Sequence, residues 1–572
     1  MEKMDIKRTF LWVIFTMSLV LLWDKWMQHT GKNSMFFPKP VAQQTQAGSA
    51  SASASANATA ASAAAVSTPA ATTTAADGTV TPVKSETITI TTDVVKADID
   101  TIGGEIKRLE LLKYADSADA KKNVVLFDYS ADRTYAAQTG LTVTGANMPN
   151  HKSGFVALPG ARELGSNNEV VLVLESEQGG VKLTKTLTFK KGDYVIGVKH
   201  TVTNKTAAPI TPSLYLQLIH DGTKPKSGGM FSGTTEFYAP ALYTQEKFFQ
   251  KLSYEDIEKR VAKETETRQA VQPDHPTNAN NGWIAMIQHF FVSAFIPEDK
   301  VEREIRTDKV RDNIYSISSV IKLGTIAPNA EVTSNARLYA GPQETAILEN
   351  IAPGLDLVKD YWKLSMIAKP MFWLMELIHK FIGNWGWTIV IFTIAIKLAL
   401  FPLSAAGFRS MAKMKVLTPK MTALKEKYKN EPQKLNQAMM ELYKTEKINP
   451  LGGCLPMLIQ MPIFLALYWV LQASVEMRGA PWVGWITDLT QPDPWFILPV
   501  LYAVSMYITT KLNPAPADPI QAKMMLYMPL MFSVLFLFFP SGLVLYWVVN
   551  NILSIAQQWV INNKIVPPEH RS

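Results

Sequence analysis

Trp385-Gly-Trp-Thr-Ile-Val-Ile-Phe-Thr-Ile-Ala-Ile-Lys397-Leu-Ala-Leu-Phe-Pro402 is an apolar run long enough to cross a bilayer, with one lysine well inside it. A lysine at the centre of a spanning helix costs about 2.5–3.5 kcal/mol on insertion scales. Such residues face a bundle interior or water and mark functional sites. The neighbouring sequence sets the fold. Hydropathy predicts spans at 384–403, 455–473, 495–512, 524–539 and 543–561. At 1.5 Å per residue the fourth reaches about 24 Å, less than a hydrocarbon core of roughly 30 Å. A helix that short tends to thin the bilayer around it.

Upstream, Lys3, Lys7 and Arg8 precede the apolar run Phe10–Trp23, the charge order of an export signal. A cleaved signal peptide and an uncleaved anchor share this pattern. The absence of a small-x-small cleavage site, with Trp23 and Trp26 at an interfacial position, favours a signal anchor over 1–26. The stretch 27–84 is dominated by Ala, Ser and Thr, with too few large apolar residues to offset ordering entropy, and reads as a disordered tether. From Ser85 the pattern becomes period-two alternation, as in Thr87-Ile-Thr-Ile-Thr and Lys182-Leu-Thr-Lys-Thr-Leu-Thr-Phe189, punctuated by Gly, Asn, Asp and Pro. That predicts a large antiparallel sandwich over 85–345, interrupted by an acidic helical patch around Glu255–Glu266. His220, Asp221, His289 and Trp283 are its first candidates for binding, although isolated histidines near strand ends are more often structural.

The 572 residues carry a net charge of +8, but no basic stretch interleaved with aromatics, so direct nucleic-acid binding is not expected. Cys454 is the sole cysteine, and the eight histidines are scattered, so neither an intramolecular disulfide nor a metal site is expected. No Gly-x-x-x-x-Gly-Lys-Ser/Thr loop occurs, and ATP hydrolysis is not indicated. No cofactor and no catalytic residue are expected.

The loops orient the spans. Segment 405–449 holds ten basic residues against four acidic ones, a net of +6, whereas Ser474–Pro494 carries a net of −2. The positive-inside rule puts the first loop in the cytoplasm and the second outside, which agrees with export after the N-terminal anchor. Stripes at Met411, Met414, Leu417, Met421 and Leu424, and at Leu435, Ala438, Met439 and Leu442, predict a helical hairpin restarting at Asn430-Glu-Pro. Its basic residues Arg409, Lys413, Lys415, Lys420, Lys425 and Lys427 fit a partner-contact surface and, equally, a face solvated beside anionic lipid. Segment 356–381 interleaves lysines with Met, Phe and Trp like a helix lying in the membrane interface, with Pro370 expected to break or bend it. The tail 562–572 is short and weakly basic.

With that orientation Lys397 falls in the inner half of its span. Its side chain could snorkel inward, against the Cα–Cβ tilt, or face a polar cavity. Thr393 lies one turn away on the same face, and Gln460, Ser533, Tyr546, Asn550 and Asn551 are polar groups in other spans. The deep parts of the five spans offer no acid or second base, which argues against a proton relay and against an intramembrane protease. A solute transporter and a receptor with an external ligand domain remain as rival classes.

Asn449-Pro-Leu-Gly-Gly-Cys-Leu-Pro-Met-Leu-Ile-Gln-Met-Pro-Ile-Phe-Leu-Ala-Leu-Tyr468 and Phe539-Pro-Ser-Gly-Leu-Val-Leu-Tyr-Trp547 resemble signature segments of the YidC/Oxa family of membrane protein insertases. The resemblance implies a polytopic α-helical protein of the bacterial inner membrane. Six transmembrane helices, five of them forming the insertase core, would accompany a large all-β periplasmic sandwich domain, with both termini cytoplasmic. It implies a groove open to cytoplasm and lipid, and Lys397, Thr393, Gln460, Tyr546, Trp547 and Asn550 are the expected groove residues. The family typically places arginine where this chain has Lys397, which keeps the charge but loses the bidentate fork. Implied partners are nascent membrane proteins, the Sec translocon, anionic lipid and the ribosome, the last weakly and not through the short tail. The sandwich resembles a sugar-binding superfold, which does not imply function.

Overall fold

Alternation of apolar and polar residues becomes two stacked sheets. The computed structural model describes residues 72–74, 80–82 and 85–561, apart from 117–118, 120, 144–146, 224–237, 360, 362–363, 429–430, 447–454, 513–522, 524–525, 528–530 and 532. The predicted anchor at 1–26 and tail at 562–572 lie outside the described residues, as do six of the sixteen residues of the span at 524–539. Within the predicted tether, Thr72–Thr74 and Val80–Pro82 pair as two short antiparallel strands.

The sandwich consists of two nine-stranded sheets with antiparallel pairing throughout. One runs from Phe248–Lys251 at one edge to Val156–Ala157 at the other, and the second from Asn278–Ala279 to Thr87–Thr91. In the strand Val181–Lys190 every second residue is buried: Val181, Leu183, Lys185, Leu187 and Phe189. Lys185 thus occupies a core position. Its ammonium donates to the Gly103 carbonyl at 2.6 Å and the Thr139 carbonyl at 2.8 Å, and lies 4.7 Å from the Phe155 ring centroid. Directly across the register is His200, buried, with Nε2 2.8 Å from the Thr139 hydroxyl. Burial depresses the His200 imidazole to about 3. Helix α1 (Tyr254–Thr267) begins at Ser253, whose hydroxyl accepts from the Asp256 amide at 3.0 Å.

The candidates singled out in the sandwich each make contacts within the fold. His220 is buried, its Nδ1 donating to the Asp221 carbonyl and its ring 4.7 Å from that of Tyr135. Asp221 accepts from the Thr134 amide at 2.8 Å. Trp283 is buried and donates Nε1 to the Pro353 carbonyl at 3.1 Å. His289 lies edge-on to Phe290, with 4.1 Å between centroids.

Beyond helix α2 (Thr345–Ile351) and a 3₁₀ turn at Leu355–Val358, the chain becomes helical. Helix α3 (Ser365–Ile382) runs through Pro370 without interruption. Pro370, sixth in the helix, offers no N–H to the Met366 carbonyl, yet the helix continues through it. Gly383, at φ 69°, closes α3, and the Asn384 side chain caps α4 (Trp385–Ala399) by accepting from the Trp387 amide at 3.1 Å. Helix α5 (Phe401–Lys427) leaves α4 at 67°, so the quoted run is bent at Leu400 rather than straight. Pro402 explains the bend: it has no N–H for the Leu398 carbonyl and its ring crowds that oxygen. Helices α6 (Pro432–Thr445), α7 (Leu455–Ala473), α8 (Ile497–Leu512) and α9 (Ser541–Val560) follow. Among the described residues no single helix is long and apolar enough to cross a membrane alone, whereas α4 with the first part of α5 meets that test as a bent pair.

The join between sandwich and helices is built from charge. Lys359, almost fully buried, donates to both Glu476 carboxylate oxygens at 2.8 and 2.9 Å and sits 3.8 Å from the Phe372 ring centroid. Two residues on, Arg478 donates to the Ala115 carbonyl at the end of a sandwich strand, at 2.8 Å.

Candidate functional site: a cationic cleft between the helices

Helix α9 supplies one wall of the cleft because Tyr546 and Asn550 are one turn apart and share a face. Both are buried, and both are tied to Gln460 on α7. The Gln460 amide donates to the Tyr546 hydroxyl at 3.0 Å and to the Asn550 side-chain oxygen at 2.6 Å. Helix α4 supplies the opposite wall with Thr393 and Lys397, again one turn apart. Thr393 donates its hydroxyl proton to the Ile389 carbonyl at 2.7 Å, which leaves the oxygen as an acceptor. Thr393, Lys397, Gln460, Tyr546 and Asn550 line a single cleft, joined by Ile396, Leu400, Leu403 and Ser404, with room for about one water molecule.

Lys397 is 9% exposed. Its ammonium donates to the Ser554 hydroxyl at 2.8 Å, and among the described residues no carboxylate lies within ion-pair distance. It therefore does not snorkel past the helix end but is held against α9. Ser554 escaped the sequence reading, and so did Gln557, whose amide donates to the Lys397 carbonyl at 3.2 Å. Ser554 was visible in principle, because Tyr546, Asn550 and Ser554 recur at i+4 steps on one helical face.

Trp547 does not line the cleft. One residue on from Tyr546 it is rotated by about 100°, and its ring packs 4.8 Å from Phe464, 6.0 Å from Tyr502 and 6.1 Å from Phe536. Asn551 likewise turns away and donates to Ser505 on α8 at 3.1 Å. Of the hairpin residues, Arg409, Lys413, Lys420 and Lys427 are exposed, and Lys420 bridges α5 to Glu446 beyond α6 at 2.7 Å. Lys427 lies 5.3 Å from the Tyr428 ring centroid, Lys425 is half-buried, and the Lys415 side chain lies outside the described residues.

The loop between α7 and α8 closes over one end of α4 and α9. Asn384 donates to the Pro481 carbonyl at 3.0 Å, Trp387 meets Trp482 edge-on, and the Ser541 and Gly542 amides donate to Gln491 and Leu489 at 2.7 and 2.9 Å. Asp493 is buried and caps α8, accepting from the Leu498 amide at 2.7 Å and the Trp485 indole at 2.8 Å.

Comparison with known proteins gives the chain's family. Residues 377–568 match the family described as 60Kd inner membrane protein, and residues 87–374 match the YidC periplasmic domain. The chain is 55% identical over 576 residues to membrane protein insertase YidC of Janthinobacterium sp. (strain Marseille), covering 98% of this chain and 99% of that protein. The chain belongs to the YidC family. The insertase YidC of Herminiimonas arsenicoxydans is likewise 55% identical, over 584 residues, again with 98% and 99% covered. A solved structure of an active YidC insertase with its first transmembrane domain resolved is 20% identical, with 83% of this chain and 92% of that chain covered at a TM-score of 0.39, too loose a match to bear on geometry. The family's periplasmic domain corresponds here to the sandwich, and its inner-membrane part to the helices from α4 onward together with the end of α3.

Proposed function

We propose that this YidC-family insertase moves the polar flank of a nascent membrane protein into the cleft beside Lys397 and releases its apolar segment sideways into lipid, without nucleotide hydrolysis. The single observation that carries the reading is the Lys397 ammonium, buried in a polar cleft and held by one serine hydroxyl rather than by an acid. A cation with no carboxylate partner attracts an acidic or polar guest. The driving force is the substrate's own: about 20 apolar residues at −0.3 to −0.6 kcal/mol each give on the order of −6 to −12 kcal/mol on entering lipid. The barrier is the polar flank; the cleft, with room for about one water molecule at rest, must widen to admit it, and its polar lining then shortens the path through hydrocarbon.

In this reading six helices span the inner membrane with both termini cytoplasmic, as the +6 and −2 loops argue. The α7–α8 loop closes the periplasmic end, and the α5–α6 hairpin stands in the cytoplasm, where its exposed lysines meet anionic lipid and, weakly, ribosomes. Cooperation with the Sec translocon belongs to the same proposal. The test uses the purified chain in nucleotide-free liposomes. Protease-protected integration of a small single-span protein, with no solute flux, is the expected result. Flux without integration would instead support a transporter.

A further inference from the structure

We infer that Ser554 is the positioning residue that fixes the Lys397 ammonium in the cleft, and so sets how strongly the site discriminates in favour of acidic flanks. The inference rests on the groove reading above and adds a residue to it. A serine hydroxyl has one proton, and here that proton goes to the Asn550 carbonyl one turn back, at 2.7 Å. The oxygen's lone pairs are thereby oriented, and Lys397 donates to it at 2.8 Å.

The contact is anchored on both sides. Asn550 is held through its side-chain oxygen by Gln460 at 2.6 Å, and the Gln557 amide, one turn beyond Ser554, reaches the Lys397 backbone carbonyl at 3.2 Å. Helix α9 therefore grips both ends of the lysine, its backbone and its ammonium. A free lysine stem has four rotatable carbons, and its head would otherwise seek the headgroups past the helix end. Ser554 uses one ammonium proton and leaves two for water or a guest. A carboxylate at the same place would neutralise the charge, whereas a hydroxyl places it without cancelling it.

The experiment reconstitutes the full chain in liposomes and compares two single-span substrates that differ only in an acidic or an amide-bearing translocated flank. The readout is the ratio of acidic to neutral insertion. Ser554→Ala is expected to lower that ratio about fivefold, the scale set by losing one hydrogen bond of ordinary net strength. Ser554→Thr, which keeps the hydroxyl, is expected to recover most of the loss. Lys397→Ala lowers the ratio as well, and adding Ser554→Ala to it changes nothing further, because a positioning residue acts only through what it positions. An unchanged ratio in Ser554→Ala, with a reduced one in Lys397→Ala, overturns the role of Ser554 alone. An additive effect in the double variant overturns it too. An unchanged ratio in Lys397→Ala overturns the groove reading itself.

Discussion

At Lys397 the chemistry is that of a placed point charge. Arginine would present a planar fork, but the cleft here offers one hydroxyl acceptor to the cation, which an ammonium satisfies without a second partner. The residues around it were partly legible. Thr393, Tyr546, Gln460 and Asn550 stood out because polar side chains in apolar helices are costly and must converge on something. Trp547 does not join the lining of this cleft, because a neighbour in sequence is about 100° away on a helix. Its ring packs against Phe464, Tyr502 and Phe536 as well as its neighbour Tyr546, contacts that point to packing. Trp547→Ala is accordingly expected to lower stability by about 2–3 kcal/mol, at the low end for large aromatic truncations because the ring is half-buried. Thermal unfolding in detergent checks this, and insertion should fall for acidic and neutral substrates alike. A selective loss on acidic flanks would return Trp547 to the cleft.

At the scale of elements, the bend at Leu400 was written in the sequence as Pro402 but masked by continuous hydropathy, which cannot distinguish a straight span from a broken one. The closing loop was harder to foresee, because its packing is a matter of shape. At Gly386 a Cβ would lie 2.2 Å from Trp482 Cδ1 and 2.5 Å from its Cβ, so only glycine lets the loop seat on α4. Gly386→Ala should therefore cost about 1–3 kcal/mol through overpacking. The cost should shrink in a Trp482→Gly background, where the clashing ring and its Cβ are both gone. Thermal midpoints of the two single variants and the double test this. A Gly386 effect of the same size in both backgrounds would mean that the strain lies elsewhere.

At the scale of the whole molecule, alternation made the sandwich plain, but not that Lys185 and His200 would occupy its interior. Lys185 shares the parity of Leu183 and Leu187, so the pattern placed it inside while its charge argued otherwise; the carbonyls of Gly103 and Thr139 resolve the conflict. Burial holds three imidazoles neutral, His200 near about 3 and His151 and His220 near about 4. Unfolding releases them to protonate near their ordinary 6.5, so the unfolded state binds more protons and stability falls as pH drops from 6.5 towards 4. Glu105 opposes this, since burial raises its carboxyl to about 7, but it is one group against three. Loss of the sheet signal on heating is thus expected at lower temperature at pH 4.5 than at pH 6.5, and the reverse order would contradict the buried-histidine account. The sandwich meets the helices through Lys359, Glu476 and Arg478, yet the chemistry assigned to the protein is concentrated at one cation. The most direct measurement is therefore the insertion of acidic- and basic-flanked substrates into nucleotide-free liposomes by the chain and by Lys397→Arg and Lys397→Glu. A cationic cleft predicts that Lys397→Arg keeps the preference for acidic flanks and Lys397→Glu reverses it; an unchanged preference in Lys397→Glu would contradict it.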